Sequence, residues 1–180
     1  MSKVKEAKIE ILQMGDPVLR QVSSAISINE IKASKTKKLI SQLKGAIDEQ
    51  VDAAAISAIQ IGKPERIFVI SKKVFEGKGK DKNDLVFINP KITKVSKTKQ
   101  LLEEGCLSVR YVYGKVLRPE KVSVEAYDEN GKKFSRGFSG LLAQIVQHEN
   151  DHLNGILFTD KAIDIQEISR EEYERMLKNL

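Results

Sequence analysis

The sequence predicts one α+β domain spanning residues 1–180, and three observations carry that prediction. Short apolar runs of strand length lie in its first half, a hairpin signal follows in its second, and two stretches repeat with helical period. In chain order, Leu39, Ile40, Leu43, Ile47 and Val51 fall on one face of a helix predicted from Ser34 to Val51. Arg66 to Ser71 encloses Ile67-Phe68-Val69-Ile70, a buried strand. Leu85–Ile88 and Ile92–Val95 predict two further strands around Asn89-Pro90, and the glycine- and lysine-rich run from Gly77 to Asp84 before them predicts a flexible surface loop. Val122, Val124 and Ala126 alternate with polar residues, and Glu129-Asn130-Gly131 turns them into a partner strand from Lys132 to Phe138. Ser169-Arg170-Glu171-Glu172 has the form of a capping box that opens a short helix through Met176.

The chemistry concentrates in Gln147-His148-Glu149-Asn150-Asp151-His152. Residues four apart stack on one face of a helix, so His148 and His152 offer two imidazoles to one ion. Glu149 stands beside them, within reach of a water. Ser139 is the predicted N-cap of this helix, Leu141, Leu142, Ile145, Val146 and Leu153 are its apolar positions, and Gly155 sits where a C-cap glycine belongs. The chain has 2 histidines, and both lie in this motif. A catalytic tetrahedral ion takes three protein ligands and keeps one position open. The single cysteine, Cys106 in Glu104-Gly105-Cys106-Leu107-Ser108, has no partner for an internal disulfide. Alone it reads as a small buried apolar residue; beside two histidines lacking a third ligand it reads as a thiolate ligand.

These two motifs, in this order and at this separation, resemble the second and third signatures of the peptide deformylase family. Gly15-Asp16-Pro17-Val18-Leu19-Arg20, Phe87-Ile88-Asn89-Pro90 and Gly155-Ile156-Leu157-Phe158 followed by Asp160 are similar to further family segments, so the resemblance spans roughly residues 9–163. It implies small antiparallel or mixed β-sheets around a central metal-binding helix. It also implies removal of the formyl group from N-formylmethionyl peptides. The implied metal ligands are Cys106, His148 and His152, holding one divalent ion per chain. Fe²⁺ is the ion the resemblance implies, and the donor set also suits Zn²⁺, Ni²⁺ or Co²⁺. Glu149 is the implied general base. The Gln60 side chain and the Leu107 backbone N–H are the implied donors to the developing oxyanion, against a plain reading of Gln60 as a polar residue at a strand end. Ala55, Ile145 and Tyr111 are the expected substrate contacts, with Gln144 at the pocket edge. Glu104 is expected to bond backbone around the cysteine loop. Asp151 has two readings of equal standing, a brace paired with Arg118 or a surface cap.

Two departures from the family stand out. Its first signature usually reads Gly-x-Gly-Leu-Ala-Ala-Pro-Gln, and here Ala53-Ala54-Ala55-Ile56-Ser57-Ala58-Ile59-Gln60 stands in its place. In the family this backbone pairs with the peptide like an added strand, so Ala53 and Ala55 predict a narrower cleft or weaker pairing. After the cysteine, Val109-Arg110-Tyr111 replaces the usual Val-Pro-Gly and predicts a reshaped rim. The alternative function is therefore a deformylase-like paralogue with altered acyl-peptide specificity or little activity. A zinc-stabilised binding module fits less well, because a structural site is normally closed by four protein ligands. A metalloprotease sharing the helix motif would usually take a glutamate or histidine downstream of the helix as its third ligand, and the cysteine motif upstream fits better.

Composition narrows the setting. No apolar run reaches the roughly 18 residues of a membrane helix. The first residues show neither a signal-peptide core nor a transit pattern, so the cytoplasm is expected. Lysine and arginine outnumber acids 31 to 25, but the lysines are scattered and no aromatics interleave them. That pattern reads first as a solvated surface, second as weak attraction to ribosomal RNA, and gives no reason to expect DNA or membrane binding.

Overall fold

The computed structural model describes residues 9–75 and 83–178. The chain builds two antiparallel sheets with the second helix between them. The larger sheet orders β1 (Ala55–Ser57), β2 (Ile67–Ile70), β3 (Leu85–Val95), β6 (Lys121–Tyr127) and β7 (Lys133–Ser139) as β1-β2-β3-β6-β7. The smaller one orders β4 (Lys99–Cys106), β5 (Val109–Pro119) and β8 (Ile163–Glu167) as β4-β5-β8. Among the described residues every ladder is antiparallel, and parallel pairing is confined to one isolated bridge between Ser24 and Glu65.

Apolar burial decides the elements. All four residues of β2 are buried, as expected of a run with no polar face. Phe68 stacks on Phe87 of β3 with ring centroids 4.5 Å apart. The two strands expected around Asn89-Pro90 are one strand, β3, kept continuous by register shifts on either side of Ile92 and by Asn89 at φ 51°. Asn89 is held there by Ile26, whose N–H donates to Oδ1 and whose carbonyl accepts from Nδ2. The hairpin is as expected: β6 and β7 pair from Lys121↔Ser139 to Tyr127↔Lys133, and Asp128 Oδ1 accepts from the Asn130 and Lys132 N–H groups in the turn. Of the expected loop, Gly77–Lys82 lies outside the described residues; Asp84, its last residue, caps Lys72 N–H at 2.9 Å.

Helix α1 (Ser34–Asp48) buries Leu39, Ile40, Leu43 and Ile47 against the first face of the larger sheet. It ends before Val51, which is 68% exposed, so that residue does not belong to the apolar face. Helix α2 (Gly140–His152) packs on the other face, with Ala143, Val146 and Leu153 among Phe68, Phe87, Val122 and Phe138. Two details of the expected α2 differ. Ser139 occupies the N-cap without a side-chain hydrogen bond, and Leu141 is 59% exposed. At the other end the Gly155 N–H bonds the His152 carbonyl and the Ile156 N–H bonds the Asp151 carbonyl, the Schellman pattern. Gly155 takes φ 72°, and a Cβ there would collide with the Arg20 carbonyl. Helix α3 (Arg170–Leu177) follows β8, with Ser169 Oγ accepting from Glu172 N–H. No described helix is long and apolar enough to cross a membrane.

Candidate metal centre

Two elements bring three soft donors together. Cys106 ends β4 and tucks back on Val109 at the start of β5, while His148 and His152 lie one turn apart on α2. Cys106 Sγ is 3.2 Å from His152 Nε2, which is 3.2 Å from His148 Nε2. All three donor atoms lie within 4.8 Å of one another. Tetrahedral coordination with Zn-like bond lengths sets donors about 3.3–3.6 Å apart, so the set fits one ion. Electrostatics agrees with the geometry. Burial works to lower the His148 pKa, yet Cys106 and Glu104 raise it well above the usual imidazole value; burial and the neighbouring His148 push His152 well below it.

The candidate ligand His148 is oriented by a residue whose role the sequence reading missed. Glu104 Oε2 is 2.9 Å from His148 Nδ1, which leaves Nε2 for the ion. Glu104 does not bond backbone around the cysteine loop; its carboxylate also takes a fork of two bonds from Arg118, at 2.8 and 3.0 Å. Burial works against ionisation of Glu104, but His148 and Arg118 outweigh it and bring its pKa down to about 2. Arg118 then reaches Asp151 Oδ2 at 2.6 Å, and Lys161 closes the network at 2.7 Å. Of the two readings of Asp151, the brace is the one realised. No local pattern marks this network: Glu104 lies on β4 and Arg118 on β5, and their side chains meet only once those strands pair.

A cleft of about 310 Å³ opens beside this centre. Ala55, Gln60, Cys106, Leu107, Tyr111, Gln144, Ile145, His148 and Glu149 all line it. His152 does not, being fully buried beneath. Glu149 is buried, and its Oε2 makes no hydrogen bond among the described residues. Burial pushes its pKa up to about 7, the range in which a carboxylate exchanges protons near neutrality. Gln60 is clamped by Ser57, whose N–H and Oγ meet its Oε1 at 2.9 and 3.1 Å. Its Nε2 is thereby turned to Ser108 Oγ at 3.1 Å and Cys106 Sγ at 3.6 Å, facing the centre and not the end of a strand.

β1 is the edge of its sheet, and neither Ala53 nor Ala55 takes a positive φ. The backbone here makes no use of glycine's freedom, and the two methyl groups join the core clusters on either side.

The comparisons with known proteins fit this site. The family model for polypeptide deformylase matches residues 8–168. The chain belongs to the peptide deformylase family. It is 40% identical to a peptide deformylase of Rhizobium meliloti over 152 residues, 83% of this chain and 82% of that one. A peptide deformylase of Psychrobacter cryohalolentis is also 40% identical, over 96% of this chain and 89% of the relative. Among solved structures, the Synechococcus elongatus peptide deformylase in complex with actinonin superposes with a TM-score of 0.76 at 33% identity, covering 99% of this chain and 88% of that one. The Met-Ala-Ser-bound deformylase of Acinetobacter baumannii superposes with a TM-score of 0.77 at 31% identity, covering 85% and 97%. This deformylase is thus a metal-dependent hydrolase of formylated peptides, with a candidate Cys/His/His metal site in the cleft.

Proposed function

We propose that Cys106, His148 and His152 hold one Fe²⁺ ion and that the residues around it release formate from N-formylmethionyl peptides. The observation that carries this assignment is a three-donor cluster at the floor of the cleft that Glu149 lines, with Glu149 Oε2 unpartnered among the described residues. When bound, the ion acidifies a water and polarises the formyl oxygen. Glu149 accepts the water's proton and returns it to the departing amine. The Gln60 Nε2 group and the Leu107 N–H donate to the charge that develops on the formyl oxygen. Ser57 fixes which end of the Gln60 amide faces the centre. Glu104 holds His148 in the tautomer that presents Nε2, and Arg118 holds Glu104.

On the substrate side, Ile145 receives the methionine side chain, the free edge of β1 at Ala55 pairs with the peptide backbone, and Tyr111 meets the chain beyond. The whole of residues 1–180 acts as one domain. The setting is the cytoplasm, where formylated chains emerge, and any attraction to ribosomal RNA is a weak one from scattered lysines. Fe²⁺ is favoured over Zn²⁺, Ni²⁺ and Co²⁺ by family membership, while the donor set accepts all four. Metal analysis of protein purified without oxygen tests the choice, with activity followed on exposure to air. Iron with air-sensitive turnover is the expected result; zinc alone with high activity would overturn it. Formyl and acetyl versions of one peptide test the acyl group: preference for acetyl would favour the retuned paralogue.

A further inference from the structure

The turn that carries Gln60 is held by a hydroxyl that serves two groups of the cleft. Ser57 ends β1 and is fully buried, and Gln60 follows it in the single helical turn Ala58–Ile61. The Ser57 N–H donates to Gln60 Oε1 at 2.9 Å, a bond that any residue except proline could make there. The Ser57 hydroxyl adds a second bond to the same oxygen, at 3.1 Å. It is also turned to the carboxylate of Glu149. Burial raises the Glu149 pKa, while the His148 charge and hydrogen bonding from Ser57 work to lower it. Ser57, Gln60 and Glu149 are all buried, so bulk water competes little for the hydroxyl.

Two replacements in the first signature give this hydroxyl its weight. The usual signature has alanine and proline where this chain has Ser57 and Ile59. Proline fixes φ within a turn, and isoleucine does not. The hydroxyl offsets that freedom by tying the residue before the turn to Gln60 within it. Gln60 Nε2, at the other end of the same planar amide, lies 3.1 Å from Ser108 Oγ and 3.6 Å from Cys106 Sγ. Holding Oε1 therefore aims Nε2. Because the hydroxyl also meets Glu149 of α2, it joins the end of β1 to the helix that carries the carboxylate.

We propose that the Ser57 hydroxyl is a positioning group shared by Gln60 and Glu149, setting amide and carboxylate against each other for the reaction. The proposal rests on the deformylase reading. It is tested with formyl-Met-Ala-Ser on the wild-type protein, Ser57→Ala, Gln60→Ala and the double variant, with metal content and urea unfolding measured on each. Alanine is the usual residue of the signature at this position, so the fold accepts it. Ser57→Ala keeps the backbone bond to Gln60, and its kcat falls about fivefold, with KM within about twofold and the metal retained. Gln60→Ala lowers kcat by about 10²-fold or more, and adding Ser57→Ala to it costs about twofold or less. Equal losses from Ser57→Ala in the two backgrounds would overturn the proposal, as would an unchanged kcat or a loss that follows loss of metal. A Gln60→Ala variant as fast as wild type would take the amide out of the reaction and the hydroxyl's role with it. No formate from metal-loaded wild-type protein would instead remove the deformylase reading.

Discussion

The two walls of the cleft are built on different principles. The α2 wall is held by buried charge: Arg118, 3% exposed, ties Glu104 and Asp151, and Glu104 ties His148. The opposite wall joins Gln50–Ala55 to Arg110–Tyr113 through polar bonds: Arg110 donates to Gln50 Oε1 and to the Tyr173 hydroxyl of α3, and that hydroxyl donates to Asp52 Oδ2. Ion pairs in the interior fix geometry strongly because breaking one strands its partner. Bonds at a rim tolerate exchange. His148, Glu149 and His152 stand on the first wall, and the departures from the family's sequence pattern at Ala53, Ala55 and Val109-Arg110-Tyr111 fall on the second.

The largest way to break this contrast is to strike the first wall. Arg118→Met leaves two buried carboxylates without their partner and should cost about 3–5 kcal/mol in urea unfolding, with loss of bound metal. A cost below about 1 kcal/mol would mean that the network is not what fixes His148. Next, Gly155→Ala forces a Cβ into the Arg20 backbone at a positive φ, and a loss of about 2–4 kcal/mol is expected from the same unfolding curves. On the second wall, Ala53→Gly with Ala55→Gly restores the usual family residues. Because neither alanine needs positive φ, activity should change by less than about threefold, with a small loss of stability from added backbone freedom. A large gain in kcat/KM would show that the methyl groups obstruct the peptide after all.

The smallest effect concerns the half-exposed pair of Arg20 and Asp160, with side chains 46% and 38% exposed. The Arg20 hydrogen bond, against a smaller burial penalty, holds Asp160 below its ordinary value of 3.8. A depressed carboxylate contributes its stability above the unfolded pKa and loses it as pH falls through the folded one. Wild type should therefore exceed Asp160→Asn by about 1 kcal/mol or less at neutral pH, and the gap should close below about pH 4. A gap that widens in acid would reverse the assignment.

How much of this was legible in the sequence differs between the walls in the same way. The His-Glu-x-x-His spacing names its own helix face, so His148, His152 and Glu149 follow from local geometry. Strand alternation likewise placed the β6–β7 hairpin. Glu104 was misread because its partners, Arg118 and His148, arrive only through strand pairing and helix docking. Val51 was misplaced because periodicity does not say where a helix stops. Asn89-Pro90 suggested a break, yet the side-chain bonds to Ile26 let one strand run through it. The bridge at Tyr173 had no local signal at all, since its partners lie at positions 52 and 110.

The central claim is that Glu149 is the base of a three-ligand centre. Its most direct test is formate release from formyl-Met-Ala-Ser by protein purified with Fe²⁺ under anaerobic conditions, for wild type and Glu149→Ala, with metal content measured on both. The account predicts one ion per chain in each protein and a kcat lower by about 10²–10⁴ in the variant. Equal turnover in the two, at equal metal content, would contradict it.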